Sequence, residues 1–259
     1  MSAVPVRNDK ELELMRASGE ITARALKRVL ESVEPGVTLL ELDKIAEEEI
    51  ERLGGKSSFK TVPGYRWATC LTVNDEVVHG IPRDIKLIEG DILGIDLGAV
   101  FKGWHTDTAW SVLVGDWKLG DGDWKEKERF LKAGERALWE AVGQAREGKR
   151  LGDISAAIQE TIEGAGYSVV KSYIGHGVGR SPHEEPEIHG VGEYGTGLHL
   201  KKGMTLAIEV IYTAGSDRVK VEDDGWTVAT ADSSLGGLFE MTVIVGKKQA
   251  EVITDWRKV

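Results

Sequence analysis

The chain has 259 residues, of which 41% are apolar and 29% charged, with 32 glycines scattered along it, as in an ordinary globular protein of one large core or two modest ones. A formal net charge of -10 excludes a broad basic surface for nucleic acid. A single cysteine, Cys70, excludes an internal disulfide and a cysteine-built zinc knuckle.

Met1 to Lys10 contains no apolar stretch of signal-peptide length, and no later run approaches a membrane span, so a cytoplasmic protein with no membrane partner is expected. Leu14, Ala17, Ile21, Ala25 and Val29 recur three or four apart and predict a helix with one buried face. Pro35-Gly36-Val37-Thr38 announces a second helix, with Thr38 and Glu41 in capping-box spacing, continuing through Leu42, Ile45, Ala46, Ile50 and Leu53 to Gly54-Gly55. Strands are predicted over Ala68–Val73, Asp91–Val100 and Asp107–Val114, each rich in β-branched or aromatic residues and bounded by Gly, Asp or Asn. The order then recurs: a long helix through Phe130, Leu131, Leu138 and Val142, a shorter one through Ile154, Ile158 and Ile162, and strands again.

The recurrence extends to individual residues. Gly36, Leu39 and Ile50 match Gly148, Leu151 and Ile162, and Leu87 through Asp96 matches Leu200 through Glu209, 113 residues on. A single catalytic domain made of two related halves, about 10–115 and 123–250, is the simplest reading.

The repeat superposes a carboxylate on a carboxylate. Asp96 lies in Leu93-Gly94-Ile95-Asp96-Leu97 and Glu209 in Leu206-Ala207-Ile208-Glu209-Val210. Asp107 precedes Thr108-Ala109-Trp110-Ser111-Val112, and Glu240 precedes Met241-Thr242-Val243-Ile244-Val245. Singly, each is an acid at a strand end facing water or a cation. Together they place four negative charges on adjacent strands, which repel unless dications lie between them, and hard divalent ions favour carboxylate oxygens.

Four of the six histidines fall between His176 and His199. His176 and His183 sit in Gly175-His176-Gly177-Val178-Gly179-Arg180-Ser181-Pro182-His183-Glu184-Glu185-Pro186, where glycines allow close backbone approach and the imidazoles are available as a metal ligand or a substrate contact. His79, in Asn74-Asp75-Glu76-Val77-Val78-His79-Gly80-Ile81-Pro82, has similar flanks. His105, His189 and His199 carry no such signal.

With these motifs in view, the sequence resembles the type I methionine aminopeptidases from Leu14-Met15-Arg16-Ala17-Ser18-Gly19 to the strand around Glu240. The resemblance implies an α+β, pseudo-twofold pita-bread fold, in which helices cover an antiparallel sheet and two divalent ions (Co, Mn, Fe or Zn) lie on its concave face. Carried over by motif, Asp96 chelates one ion, Asp107 and Glu240 bridge both, and His176 with Glu209 completes the second. Glu209 takes the proton of the attacking water, while His79 and His183 hold the substrate and stabilise the tetrahedral intermediate.

Tyr65, Cys70 and Trp226 stand where the family's methionine pocket is lined. The implied reaction removes N-terminal methionine from nascent polypeptides when the next residue is small; a monomer is expected, though no residue pattern speaks to oligomeric state. Four positions depart from the family: Val210 replaces a proline, Met241 a histidine, Thr106 a glycine and Pro182 a bulky aromatic residue. None is a ligand, so metal binding is expected to stay intact; they bear on the shape of the methionine pocket and on which residues are accepted after methionine. The step of 31 positions from Glu209 to Glu240 leaves no room for the helical insertion of type II enzymes. Two alternatives stay open: a peptidase of the Xaa-Pro aminopeptidase or prolidase kind, and a non-catalytic binding module on the same fold.

Overall fold

The computed structural model describes residues 4–115 and 123–259; Met1 to Ala3, and the junction between the two expected halves, lie outside the described residues. The first helix, α1, runs Asp9–Leu30, five residues earlier than the apolar periodicity predicts. Its start is fixed by a capping box: the Asn8 side chain accepts from the Glu11 backbone N–H at 3.1 Å while the Glu11 carboxylate accepts from the Asn8 N–H at 3.0 Å. That polar signal lies outside the apolar stripe. α2, Leu39–Arg52, begins as expected at Thr38, whose hydroxyl accepts from the Glu41 N–H at 3.2 Å. The second pair is α3, Asp123–Gln144, and α4, Leu151–Gly164.

The strands are β1 (Lys56–Ser57), β2 (Thr69–Val73), β3 (Glu76–Val78), β4 (Ile92–Phe101), β5 (Trp104–Leu113), β6 (Ser168–Val169), β7 (Gly175–Gly177), β8 (Glu184–Ile188), β9 (Thr205–Thr213), β10 (Val219–Val221), β11 (Val228–Thr230), β12 (Gly236–Ile244) and β13 (Glu251–Val252). Ten of them form one sheet along the path β1-β4-β5-β12-β9-β7-β8, with β2 beside β4, β6 beside β9 and β13 beside β12; β10-β11-β3 form a second, small sheet. All ladders between these strands are antiparallel.

β5 starts three residues before its expected position. Lys102 and Gly103, with φ of 49° and 76°, make a two-residue hairpin turn that pairs Phe101 with Trp104, so pairing starts immediately after the turn. Asp107 and Glu240 therefore lie inside their strands, not at their beginnings.

Strand alternation divides the large sheet into two faces. Ile95, Leu97, Trp110, Ile208, Val210, Tyr212, Phe239, Met241 and Val243 share one apolar core with the buried faces of the four helices. α1 lies across β4 and β5, and α3 across β9 and β12. Ala109, Ile211 and Leu238 belong to a separate cluster with Val77, Val78 and Val228 from the small sheet. The result is the pita-bread architecture: helices over one face of an antiparallel sheet and a concave site on the other. No helix among the described residues is long and apolar enough to cross a membrane.

Candidate metal centre

Register brings the acids together. Asp96 on β4 pairs with Ala109 on β5, Ala109 with Glu240 on β12, and Glu240 with Glu209 on β9, so three carboxylates project from one row of the concave face. Asp107 is two residues before Ala109 and shares its face. His176 on β7 pairs with Ala207, two residues before Glu209, and so joins the ring from the other side.

Ligand atoms of Asp107, His176 and Glu240 lie within 4.8 Å of one another, and His176 Nε2 is 3.8 Å from Glu209 Oε1. Gly175 permits this proximity: a Cβ there would lie 2.7 Å from the Ala207 carbonyl oxygen and 3.4 Å from Glu209 Cγ, where β7 packs closely on β9.

The electrostatics favour a cation. Burial pushes Asp107 up to about 7 and Glu209 up to about 8, with Asp107 adding to the rise at Glu209. Asp96 and Glu240 are driven up by burial and then by the neighbouring acids. Asp96 Oδ1 and Glu240 Oε1 are buried without a hydrogen-bond partner, and an orphaned carboxylate oxygen inside a protein is costly unless a cation meets it.

His176 supplies the complementary donor. Burial, then His183, lowers it to about 4, so the ring is neutral. Its Nδ1 donates to the Gly177 carbonyl at 2.9 Å, which turns the Nε2 lone pair toward the acids. An oxygen-rich set with one imidazole nitrogen fits hard or borderline divalent ions.

All ten residues proposed from the sequence line one cavity of about 160 Å³: Tyr65, Cys70, His79, Asp96, Asp107, His176, His183, Glu209, Trp226 and Glu240. His79 and His183 stand at its mouth, partly open to solvent, and burial holds both imidazoles below their ordinary pKa. The His183 ring meets His176 edge-on at 4.4 Å, and the His79 ring meets Tyr173 edge-on at 5.4 Å. His79 adopts φ 59°, a conformation unfavourable for a side-chain-bearing residue and retained where the surroundings impose it.

At the apolar end, Tyr65 stacks edge-on with Trp226 at 5.0 Å and donates its hydroxyl to the Thr69 carbonyl at 2.7 Å. The Asp224 carboxylate fixes the turn carrying Trp226, accepting from the Trp226 and Thr227 N–H groups at 2.8 Å each. The Cys70 thiol, paired across from Asp96, is pushed up by burial and then by that acid.

Four further lining residues were not anticipated: Phe59, Val62, Val78 and Leu238. Leu238 was legible as the position two before Glu240 on the same strand face. Phe59 and Val62 belong to a single turn of 3-10 helix, Phe59–Thr61 and its C-cap, too short to show a period. His105 is structural, its Nδ1 2.8 Å from the Ser58 hydroxyl, and His189 and His199 are exposed.

None of the four departing residues is among the cavity-lining residues. Val210 and Met241 alternate with Glu209 and Glu240 and therefore face the core under the helices; Met241 Sδ accepts from Thr108 and Thr254 hydroxyls at 3.5 and 3.4 Å. Thr106 ties the sheet to α1 through Ser18 and Thr22 hydroxyls at 3.1 and 2.8 Å. Pro182 immediately precedes the lining residue His183 in the chain.

Residues 13–246 match metallopeptidase family M24. A methionine aminopeptidase of Clostridium perfringens is 41% identical over 249 residues, covering 96% of this chain and 98% of that one. The crystal structure of methionine aminopeptidase from Thermotoga maritima superposes with a TM-score of 0.92 at 40% identity, covering 97% of this chain and 99% of that one. A prolidase from Pyrococcus furiosus shares the fold with a TM-score of 0.76 at 23% identity, the match covering 96% of this chain and 65% of the prolidase.

Proposed function

The chain belongs to the methionine aminopeptidases of metallopeptidase family M24, and on that premise we propose that it hydrolyses the first peptide bond of newly made polypeptides, releasing methionine when the next residue is small. The observation that carries this reading is the row of buried carboxylates with one neutral imidazole, opening on a small cavity whose far end is aromatic and apolar. The prolidase alternative has only shared fold behind it, and the retained ligand set argues against a non-catalytic module.

Asp96, Asp107, Glu240, Glu209 and His176 would hold two divalent ions of the Mn, Fe, Co or Zn kind. When bound, these ions supply Lewis acidity toward water and the scissile carbonyl. Glu209 accepts the proton of the attacking water at a carboxylate oxygen and passes it toward the leaving amine. His183 and His79, at the two sides of the mouth, donate hydrogen bonds to the substrate backbone and to charge developing on the carbonyl oxygen. Tyr65, Cys70 and Trp226, with Phe59 and Leu238, enclose the unbranched methionine side chain and exclude water from the reacting bond.

We assign the enzyme to the cytoplasm as a monomer, in keeping with its one buried, unpaired cysteine. We also read the halves 10–115 and 123–250 as copies of one ancestral unit, supported by helix pairs of equal length, 22 and 14 residues in each half. The test is to add Mn, Fe, Co or Zn to metal-free protein and compare a Met-Gly peptide with Xaa-Pro peptides. Methionine release with at least one ion supports the assignment; no release with any, or preference for Xaa-Pro, overturns it.

A further inference from the structure

His183 is carried by an irregular loop, residues 178–183, whose Gly179 carbonyl accepts from the His105 N–H at 2.7 Å and whose next two N–H groups are gathered by one side chain. Glu184 Oε1 accepts from the Arg180 N–H at 2.6 Å and the Ser181 N–H at 3.1 Å, curling the loop around one carboxylate. The other oxygen, Oε2, is ion-paired with Arg7 from the N-terminal segment, and both side chains are largely buried, at 9% and 14% exposure.

Arg7 is itself fixed from several directions. Its N–H donates to the Gly203 carbonyl at 2.9 Å, and Nε lies 3.5 Å from the Thr205 hydroxyl, which donates to the Val178 carbonyl at 2.6 Å. Its guanidinium stacks over Trp104 at 5.1 Å, and Arg180 stacks over the same ring at 4.0 Å. Gly179 makes room for it: a Cβ there would lie 2.3 Å from the Arg7 guanidinium nitrogen.

From this chain of contacts we propose that Arg7 is a positioning residue for His183, acting through Glu184 to hold the imidazole at the mouth of the cavity. The inference rests on the role given to His183 above. Arg7 touches neither substrate nor ligands, and removing it frees Glu184 to swing toward water and release two loop N–H groups at once. His176 is held by the β9 ladder and, through Gly177, by the β8 ladder at Glu184, backbone pairings that do not use the Glu184 carboxylate, so metal binding is not expected to follow. An ion pair this far from solvent is strongly disrupted when one partner is deleted, and a small misplacement of a reacting group has a disproportionate effect on rate.

The experiment compares metal-loaded parent, Arg7→Ala, Arg7→Lys, Glu184→Gln, the Arg7→Ala/Glu184→Gln double variant and His183→Ala on a Met-Gly peptide, with metal affinity by calorimetry. For Arg7→Ala, kcat is expected to fall about tenfold while KM and metal affinity stay within about twofold. Arg7→Lys should recover most of the loss, Glu184→Gln should match Arg7→Ala, and the double variant should be no worse than either. Should Arg7→Ala fail to fold, the near-isosteric Glu184→Gln carries the comparison.

An unchanged kcat, multiplying losses in the double variant, or a parallel loss of metal affinity overturns the proposal. If His183→Ala retains full kcat, the role given to His183 fails and takes the clamp with it; if His183→Ala is impaired and Arg7→Ala is not, only the clamp fails.

Discussion

Removing the metal should leave a protein whose stability falls as pH rises above neutrality, the opposite of what isolated surface acids produce. Glu209 is raised from 4.5 to about 8 in the folded chain. Its folded form therefore holds a proton that its unfolded form has lost, and stability declines as pH climbs through the folded pKa. The histidines act in the other direction: His176, lowered to about 4, favours the folded state increasingly as pH rises, but that contribution is complete by about pH 7. The window from pH 7 to 8.5 thus isolates the acids.

Across that window Glu209 alone releases most of one proton equivalent, a loss of about 1 kcal/mol, and Asp96 and Glu240 act with the same sign. Urea unfolding of chelator-treated protein at the two pH values measures it, with m-values checked for constancy. The apo midpoint should drop, the metal-loaded midpoint should not, because divalent ions replace the protons and bind more tightly as these are removed. In apo Glu209→Gln the decline should be smaller by about 1 kcal/mol. An apo midpoint that is level or rising from pH 7 to 8.5 would refute the idea that these carboxylates share one desolvated site.

Four other outcomes follow from the geometry. Glu209→Gln should lower kcat by about 10² to 10⁴, assayed at saturating metal so that a lost ligand is separated from a lost base. Glu240→Gln should weaken metal binding in calorimetry and raise apo stability at pH 8, since it removes one of the crowded acids. Gly177→Ala forces a Cβ to 2.2 Å from the Glu185 carbonyl oxygen and should cost at least about 2 kcal/mol in thermal or urea unfolding while dislodging His176. Met241→Leu should change stability by less than about 1.5 kcal/mol and leave the preference among Met-Xaa peptides unaltered, as checked by competition assay; a changed preference would put Met241 in contact with substrate after all.

The sequence carried the centre and lost its frame, for reasons that differ residue by residue. Asp96, Glu209, Asp107 and Glu240 were legible because an acid inside a β-branched run violates the strand's own chemistry, and the internal repeat doubled each violation. That they fall in one row was not legible: it depends on the Lys102-Gly103 turn setting the β4-β5 register and on β12 inserting between β5 and β9, where the β5-β12 pairing joins residues more than a hundred apart, Ala109 and Glu240. The same alternation explains why Val210 and Met241 misled. Adjacent to a ligand in sequence, each points to the opposite face of the sheet, and only the period of two, applied through the ligand itself, tells a neighbour in the chain from a neighbour in the site.

Arg7 was invisible for the converse reason. It is 176 residues from His183, sits in a segment with no periodicity, and acquires its meaning only when the sheet brings Gly203, Thr205 and Glu184 beside it. A side chain that reads as an ordinary surface cation thus becomes the buried counter-charge of the loop on which His183 depends.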